Sequence, residues 1–392
     1  MEKRNGVSGF CGFLLFFVFC GQVFAGGYDN SSIGSKAYAM ASAFTGIADD
    51  ASAVYYNPGG LVFQENNALN IQAYAHIYWP KMTYTANSIE DVSDHNYVIP
   101  GFFISKTYDK WAFGFGNYIP YAGGGGEYDN FQKSGYDIKG GAAFISIGPA
   151  IAYELSPKLA IGAGFSTYYG TMESDVIQTV RVKSSYDGIA GYGMNLGVLY
   201  KYSDDFNIGF DLRSEVPIKM DGDVKATGSK NDSEVEFTLP YYFTLGFGYK
   251  YTPKLTFSID TTYMLWGSMD EMDFETAGRK IVKKTYYKNS WRTGLGMDYR
   301  INDTFAVRSG LKYVENATAK EGLNNSNDTT ILIPSSCDVD MMVFPIGVAY
   351  NISRNKEIDV SGQYVRGVER TYVGKKFDQE HLILSLGFRF TY

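Results

Sequence analysis

Short polar breaks recur through this chain at intervals of 47 to 52 residues: Asp109-Lys110, Ser156-Pro157-Lys158, Ser203-Asp204-Asp205, Thr252-Pro253-Lys254, Asn302-Asp303 and Ser353-Arg354-Asn355. Midway between them lie longer polar or glycine-rich stretches: Gly123 to Gly140, Glu173 to Asp187, Asp221 to Asp232, Met269 to Lys284 and Glu315 to Ser336. A chain built this way turns tightly at one end of its hairpins and loosely at the other, the pattern of strands that cross a bilayer. Six short turns, with both chain ends on their side, predict 14 strands and seven outer loops. The first loop falls near Tyr84 to Asn96 and the last near Val373 to Gln379.

Side-chain alternation supports strands between the turns. Phe206, Ile208, Phe210 and Leu212 alternate with Asn207, Gly209, Asp211 and Arg213; Leu255, Phe257, Ile259 and Tyr263 with Thr256, Ser258 and Asp260. The same holds for Trp291, Leu295, Met297 and Tyr299 against Arg292, Gly294, Gly296 and Asp298, and for Phe305, Val307, Leu311 and Tyr313 against Ala306, Arg308, Gly310 and Lys312. Each segment thus has one apolar face and one small or charged face. A soluble sandwich gives the same alternation. Past residue 25 no apolar run reaches ~18 residues, which excludes a transmembrane helix but not a transmembrane barrel. Tyr (33), Phe (27) and Gly (44) against only 11 Pro fit strands with aromatic girdles better than a helical enzyme.

The last strand alternates to the final residue, with Leu382, Leu384, Leu386, Phe388, Phe390 and Tyr392 on one face and Ser385, Gly387, Arg389 and Thr391 on the other. Outer-membrane barrels resemble this in ending on an aromatic residue that the barrel insertion machinery recognises. The expected fold is therefore all-β, a 14-stranded antiparallel transmembrane β-barrel. Such a lumen is too wide for side chains alone to fill, so either water or a plug fills it. Residues 26–61 are rich in Ala, Ser and Gly, too small to build a core alone, and end in the turn signal Asn57-Pro58-Gly59-Gly60. They are the expected plug inside the lumen, followed by the barrel over 62–392. Asp211, Arg213, Glu215, Arg292, Asp298 and Arg308 point inward and are expected to pair with one another and with Asp49 and Asp50, or to be solvated.

Residues 1–25 read as a signal peptide for Sec export, with Lys3 and Arg4, an apolar run from Phe10 to Phe19 and Val23-Phe24-Ala25 as the cleavage motif. A lipoprotein signal with Cys20 lipidated is the alternative. Cleavage leaves Cys337 as the single thiol, so no intramolecular disulfide and no cysteine metal site are expected. The net charge of −7 at pH 7 provides no nucleic-acid footprint. His76, His95 and His381 are scattered, and neither a Gly-x-Ser-x-Gly elbow nor a His-Glu-x-x-His motif occurs. Gly123 to Gly126 lacks the Gly-Lys-Ser/Thr ending of a phosphate cradle. The acidic Asp270-Glu271-Met272-Asp273 offers fewer ligands than a Ca²⁺ site needs. No catalytic residue, metal site or cofactor is assigned.

The run Ser35 to Leu61, with Ala48-Asp49-Asp50-Ala51 and Asn57-Pro58, resembles the N-terminal hatch of the FadL/TodX family of outer-membrane transporters of fatty acids and aromatic hydrocarbons. The family usually has Ala where this chain has Gly59. The resemblance continues at Arg213-Ser214-Glu215-Val216, at Leu239-Pro240 and in the strand rhythm to Tyr392. It implies a channel for passive uptake of hydrophobic small molecules, monomeric in the outer membrane among lipid and lipopolysaccharide. Asp49, Asp50, Asn57, Pro58 and Gly59 are then the plug and gate. The third strand, Trp111 to Pro120, carries Gly114, Gly116 and Pro120, which weaken strand pairing; in the family this strand kinks inward and opens a lateral window, with exit at the other end of the barrel as the alternative. Fatty-acid members hold the carboxylate with basic side chains, which places substrate contacts at Lys283, Lys284 and Arg181, although Val176 lacks the charge at a second matched position. A polar-solute porin and an outer-membrane lipid hydrolase stay open as other readings.

Overall fold

The computed structural model describes residues 27–392 apart from 87, 131–137, 178–179, 227, 321–337 and 373–374. The expected signal peptide, Cys337 and most of the stretch from Glu315 to Ser336 lie outside the described residues. The barrel strands are β1 (Leu69–Ala86), β2 (Tyr97–Tyr108), β3 (Trp111–Glu127), β4 (Ile138–Ser156), β5 (Leu159–Ile177), β6 (Arg181–Lys201) and β7 (Phe206–Arg213). They continue as β8 (Tyr242–Thr252), β9 (Leu255–Met264), β10 (Ser290–Arg300), β11 (Phe305–Val314), β12 (Met341–Ser353), β13 (Lys356–Gly367) and β14 (Lys375–Thr391). Each pairs antiparallel with its neighbour, and β14 returns to β1 from Asn70↔Thr391 to Thr85↔Lys376. The ring of 14 strands is closed, so none of them presents a bare sheet edge along its whole length.

All six predicted short turns fall between consecutive strands at one end of the ring. The long stretches at the other end are a correction: several are not loops but continued strand. β5 and β6 run on through Glu173 to Asp187 with only 178–180 between them. Val216–Ala226 pairs with Ser229–Leu239, and Glu271–Thr276 with Arg279–Lys284, extending the sheet outward from β6. Beyond the membrane both faces of a strand meet polar surroundings, so strand there needs no apolar alternation. Asp175, for instance, faces Lys183 across the β5–β6 ladder and pairs with it at 2.6 Å.

The alternation is inverted relative to a soluble sandwich. The apolar residues are the exposed ones, as with Leu295 (47%) and Leu386 (44%), while Asp211 (2%) and Ser385 (0%) on the opposite face are buried. Only an apolar solvent around the ring makes that pattern favourable. Among the described residues no helix is long and apolar enough to cross a membrane; the strands do so.

The polar inner face is buried because residues 28–63 lie inside the ring. This segment holds two single-turn helices, α1 (Lys36–Ala39) and α2 (Ala53–Tyr56), and a 3₁₀ helix over Pro58–Phe63. Glycines on the inner face let it approach the wall. A Cβ on Gly162 would sit 2.5 Å from the Pro58 carbonyl carbon, on Gly246 2.7 Å from the Gly46 nitrogen, and on Gly387 2.1 Å from Ser35 Cβ.

Candidate functional site

Polar side chains tie the segment to opposite walls. On one side Lys36 reaches Asp49 at 2.6 Å and Asp298 at 3.7 Å. Arg308 pairs with Glu357 at 2.9 Å, with Asp298 at 3.3 Å and with Asp359; Arg389 joins Glu357, Asp359 (3.6 Å) and Asp50 (3.7 Å). The Ser35 hydroxyl donates to Asp359 at 2.7 Å. Burial alone would raise both acids of the segment. For Asp49 the Lys36 ammonium, with Arg389 and Arg308 beyond, outweighs burial and holds the carboxyl below the usual range. For Asp50 burial wins over Arg389, helped by the neighbouring Asp49 charge, and the carboxyl is pushed up.

On the other side Asp260 accepts the backbone N–H of Phe44 (2.8 Å) and Thr45 (2.7 Å). Arg213 lies over the Tyr55 ring, 4.1 Å from its centroid, and donates to the Tyr55 carbonyl at 2.8 Å. Arg292 pairs with Asp29. The Asn57 amide donates to the carbonyls of Thr45 (3.0 Å) and Val198 (2.9 Å), and its oxygen accepts the Gly59 N–H at 3.1 Å. A Cβ on Gly59 would stand 3.1 Å from the carbonyls of Ala160 and Gly197, so the missing side chain fits a tight approach to β5 and β6. The expected inward pairing thus occurs at Asp211–Arg213 (3.6 Å) and Asp298–Arg308, while Glu215 is exposed beyond the end of β7.

The strand pairing changes along β3, just past the expected glycines. Gly114 and Gly116 sit in intact ladders, opposite Ser105 and Phe103 of β2 and opposite Ala150 and Gly148 of β4. Gly114 makes room for Val54, 2.5 Å from where its Cβ would be. The β2–β3 ladder ends one residue later, at Phe102↔Asn117. Residues 97–101 of β2 continue to pair with β1 alone. On the β4 side a bulge intervenes, for the pairing steps from Tyr118↔Ser146 to Tyr121↔Phe144 across Ile119 and Pro120. The freed edge of β3 is taken by the N-terminal segment. The Asn30 N–H donates to the Pro120 carbonyl at 2.9 Å, the Ala122 N–H to the Tyr28 carbonyl at 2.7 Å, and Asp29 bridges Tyr121 antiparallel. The Asn30 amide adds a bond to the Ile119 carbonyl at 2.7 Å. No local sequence signal marks Tyr28 to Asn30 as this partner.

Three buried apolar clusters meet at that stretch. Tyr118 belongs to the cluster around the segment, with Tyr55, Tyr74 and Phe103. Ile119 and Ala122 belong to a column of Tyr78, Met82, Met341, Val343 and Ile383 that rises toward the outer end. Tyr121 belongs to a third, with Tyr28, Phe144, Tyr168, Tyr242 and Trp266. Against this column lies a cavity of ≈ 30 Å³, lined by its members Val314, Met341, Val343 and Ile383 and, at its polar side, by Lys312. Lys312 is buried and donates to Ser31 (3.0 Å) and Ser42 (3.3 Å). It was legible in the sequence only as an inward-facing residue of β11.

The basic residues expected to contact substrate are not brought together. Arg181 begins β6 and is bidentate on Asp175 at 2.7 and 2.8 Å. Lys283 and Lys284 lie on the separate Arg279–Lys284 strand, Lys283 5.7 Å from the Phe274 ring and Lys284 exposed.

The family described as Outer membrane protein transport protein (OMPP1/FadL/TodX) matches residues 16–387. The chain belongs to this family. Its FadL/TodX membership makes it an outer-membrane transport protein, and the closed 14-strand ring is the fold the family shares. Outer membrane protein P1 of Haemophilus influenzae is 24% identical over 398 residues, covering 85% of this chain and 83% of that protein. A long-chain fatty acid transport protein of Escherichia coli O6:H1 is 22% identical over 61% of this chain and 62% of its own. Among solved structures, a Pseudomonas aeruginosa FadL homologue superposes with a TM-score of 0.78 at 15% identity, covering 94% of this chain and 99% of that one. The P. putida toluene transporter TodX superposes at 0.73 and 15% identity, over 92% and 98%.

Proposed function

We propose that this FadL/TodX-family barrel passively imports hydrophobic small molecules, long-chain fatty acids or aromatic and aliphatic hydrocarbons. The observation that carries the reading is the end of the β2–β3 ladder at Phe102↔Asn117, beside the meeting point of three apolar clusters. A solute caught by the outer hairpins descends an apolar column and reaches the break in β3. Residues 26–61 act as the plug, with Asp49, Asp50, Asn57, Pro58 and Gly59 as its gate. The solute leaves sideways past Pro120 into the membrane. Each CH₂ removed from water contributes about 0.8 kcal/mol, so the path needs no energy source, only continuity of apolar surface. The names of the relatives, one a fatty acid transporter and one a toluene transporter, support both solute classes without choosing.

The protein acts as a monomer without enzymatic chemistry. It is exported by the Sec route with cleavage after Ala25, inserted by the barrel machinery and surrounded by outer-membrane lipid and lipopolysaccharide. Uptake of radiolabelled oleate and of toluene by cells carrying or lacking the protein tests the reading. Equal uptake of both solutes in the two strains would overturn it.

A further inference from the structure

At the outer end of the ring β10 and β11 stay paired past the last rung of their ladder, Arg292↔Val314. The Glu315 N–H donates to the Trp291 carbonyl at 2.9 Å, the Lys288 N–H to the Ala317 carbonyl at 2.7 Å and the Ala319 N–H to the Tyr286 carbonyl at 2.9 Å, while Tyr287 and Thr318 bridge antiparallel. Between these bonds Asn289 and Ser290 stand against Asn316 alone, a bulge of the kind that bends a strand pair. Beyond the bulge the pair lies over the lumen. Ala317 is 0% exposed and belongs to the apolar cluster of Trp266 and Met269, and the Tyr287 ring stands 5.6 Å from the Trp266 indole.

Two features mark this cover as a movable part. Where it joins the Arg279–Lys284 strand, Tyr286 adopts φ +56°, in the left-handed region that bulky side chains avoid, so its backbone is strained while the cover is seated. The bonds that seat it on its other side are polar and converge on two side chains. Asp338, just ahead of β12, accepts through one oxygen the Ala317 N–H (2.9 Å), the Thr318 N–H (2.6 Å) and the Thr318 hydroxyl (2.7 Å). Arg370, between β13 and β14, donates to the Asn316 side-chain oxygen (2.9 Å), the Thr318 carbonyl (2.8 Å) and the Asp338 carbonyl (3.2 Å). One guanidinium thus ties the cover and the start of β12 to the far side of the ring mouth. Water replaces polar bonds at small net cost, so a cover seated in this way is held without being sealed.

We propose that Tyr286–Lys288 and Ala317–Ala319 form a flap over the outer end of the lumen, that solute enters when the flap lifts, and that Arg370 is the positioning residue that latches it shut. The proposal rests on the reading of the protein as an importer of hydrophobic solutes and assigns its entry step. Lifting frees Tyr286 from its strained backbone and uncovers Trp266 and Met269, an apolar landing surface directly beneath.

The test uses the full chain with Cys337→Ser, so that introduced thiols stand alone. Ala317→Cys reports the flap through labelling of intact cells by a membrane-impermeant maleimide. Labelling is slow with Arg370 in place and about tenfold or more faster with Arg370→Gln, the effect of losing one charge-assisted hydrogen bond from the closed state. Arg370→Lys, which keeps the charge but not the fork of donors, falls between the two. Thr318→Cys with Asp338→Cys puts two thiols where the side chains now meet at 2.7 Å, and their disulfide pins the flap to β12. Uptake of oleate and toluene is lost in the oxidised pair and returns with dithiothreitol, while heat-modifiable migration on gels shows a folded barrel in both states. Equal labelling with Arg370 and with Arg370→Gln would overturn the latch, and undiminished uptake by the oxidised pair would overturn the flap as the entry. Failure of the unsubstituted chain to import either solute defeats the import reading alone, since labelling of Ala317→Cys still decides whether the flap lifts.

Discussion

Asn30 donates its backbone N–H to the carbonyl of Pro120 at 2.9 Å, joining the chain's N-terminal segment to the point where β3 leaves β2. The break and the lumen filling are therefore one hydrogen-bonded unit. Moving either one strains the hydrogen bonds that hold the other.

Pro120→Val restores an N–H at the bulge and is expected to narrow the opening. Uptake slows while ligand binding to purified protein in detergent persists, because capture precedes exit. A change at Gly116 does not serve the same test, since a valine side chain there would be driven into Phe103, 2.9 Å from the Cβ position. Unchanged uptake by a correctly folded Pro120→Val protein would show that solute leaves through the turn end of the barrel.

Deleting residues 28–60 leaves the strands paired in their own ring but removes what fills them. Ion conductance in planar bilayers is expected to rise strongly, while the deleted form still runs anomalously on gels until boiled. Conductance no higher than that of the intact chain would mean that the lumen is blocked by something else.

The two acids of the segment titrate in opposite senses. Asp49 is held below its ordinary range, so its pair with Lys36 contributes above the unfolded carboxyl's pKa and is lost only as pH falls through the lowered value. Asp50 is pushed up, so the seated segment prefers it protonated and is held more firmly as pH falls through that raised value. Asp49→Asn is expected to loosen the segment by about 0.2–1 kcal/mol at neutral pH, as for a partly exposed pair. Asp50→Asn tightens it and removes the acid-side gain. The frequency of channel openings at neutral and mildly acid pH measures both.

Gly162→Val places a side chain against the backbone of Pro58 and Gly59. Overpacking of this kind costs roughly 1–3 kcal/mol. Because Gly162 belongs to β5 and its ladder partners are unaffected, the cost falls on the seating of the segment. Basal conductance rises, and melting of the barrel followed by circular dichroism stays near that of the parent.

The ring was legible in the sequence because its signals are local. Alternation and turn residues act over a few positions, and all six short turns and the outward-facing apolar residues follow from them. The outer stretches were not legible, since Glu173 to Asp187 is polar and polarity outside a membrane is compatible with strand as well as loop. Nor was the partner of the β3 break. Pro120 announces that one ladder bond is missing, but nothing near it says that Tyr28 to Asn30 fill the gap. The charges show the same division. That Asp298 and Arg308 face inward is a matter of period; that Asp49 answers Lys36 and that Asp29 answers Arg292 depends on how the segment is threaded, which no short stretch encodes.

Ser35 bonds Asp359 across 324 positions of chain, and a Cβ on Gly387 would collide with Ser35. The Gln363 amide of β13 donates to the Tyr38 carbonyl at 2.9 Å. These seats on β13 and β14 are synthesised 324 residues or more after the residues that use them. Contacts of such long separation form slowly, because the intervening loop must be closed before they are made. During biogenesis the alanine-rich N-terminal run can complete its contacts only once β13 and β14 arrive, so its full seating coincides with ring closure.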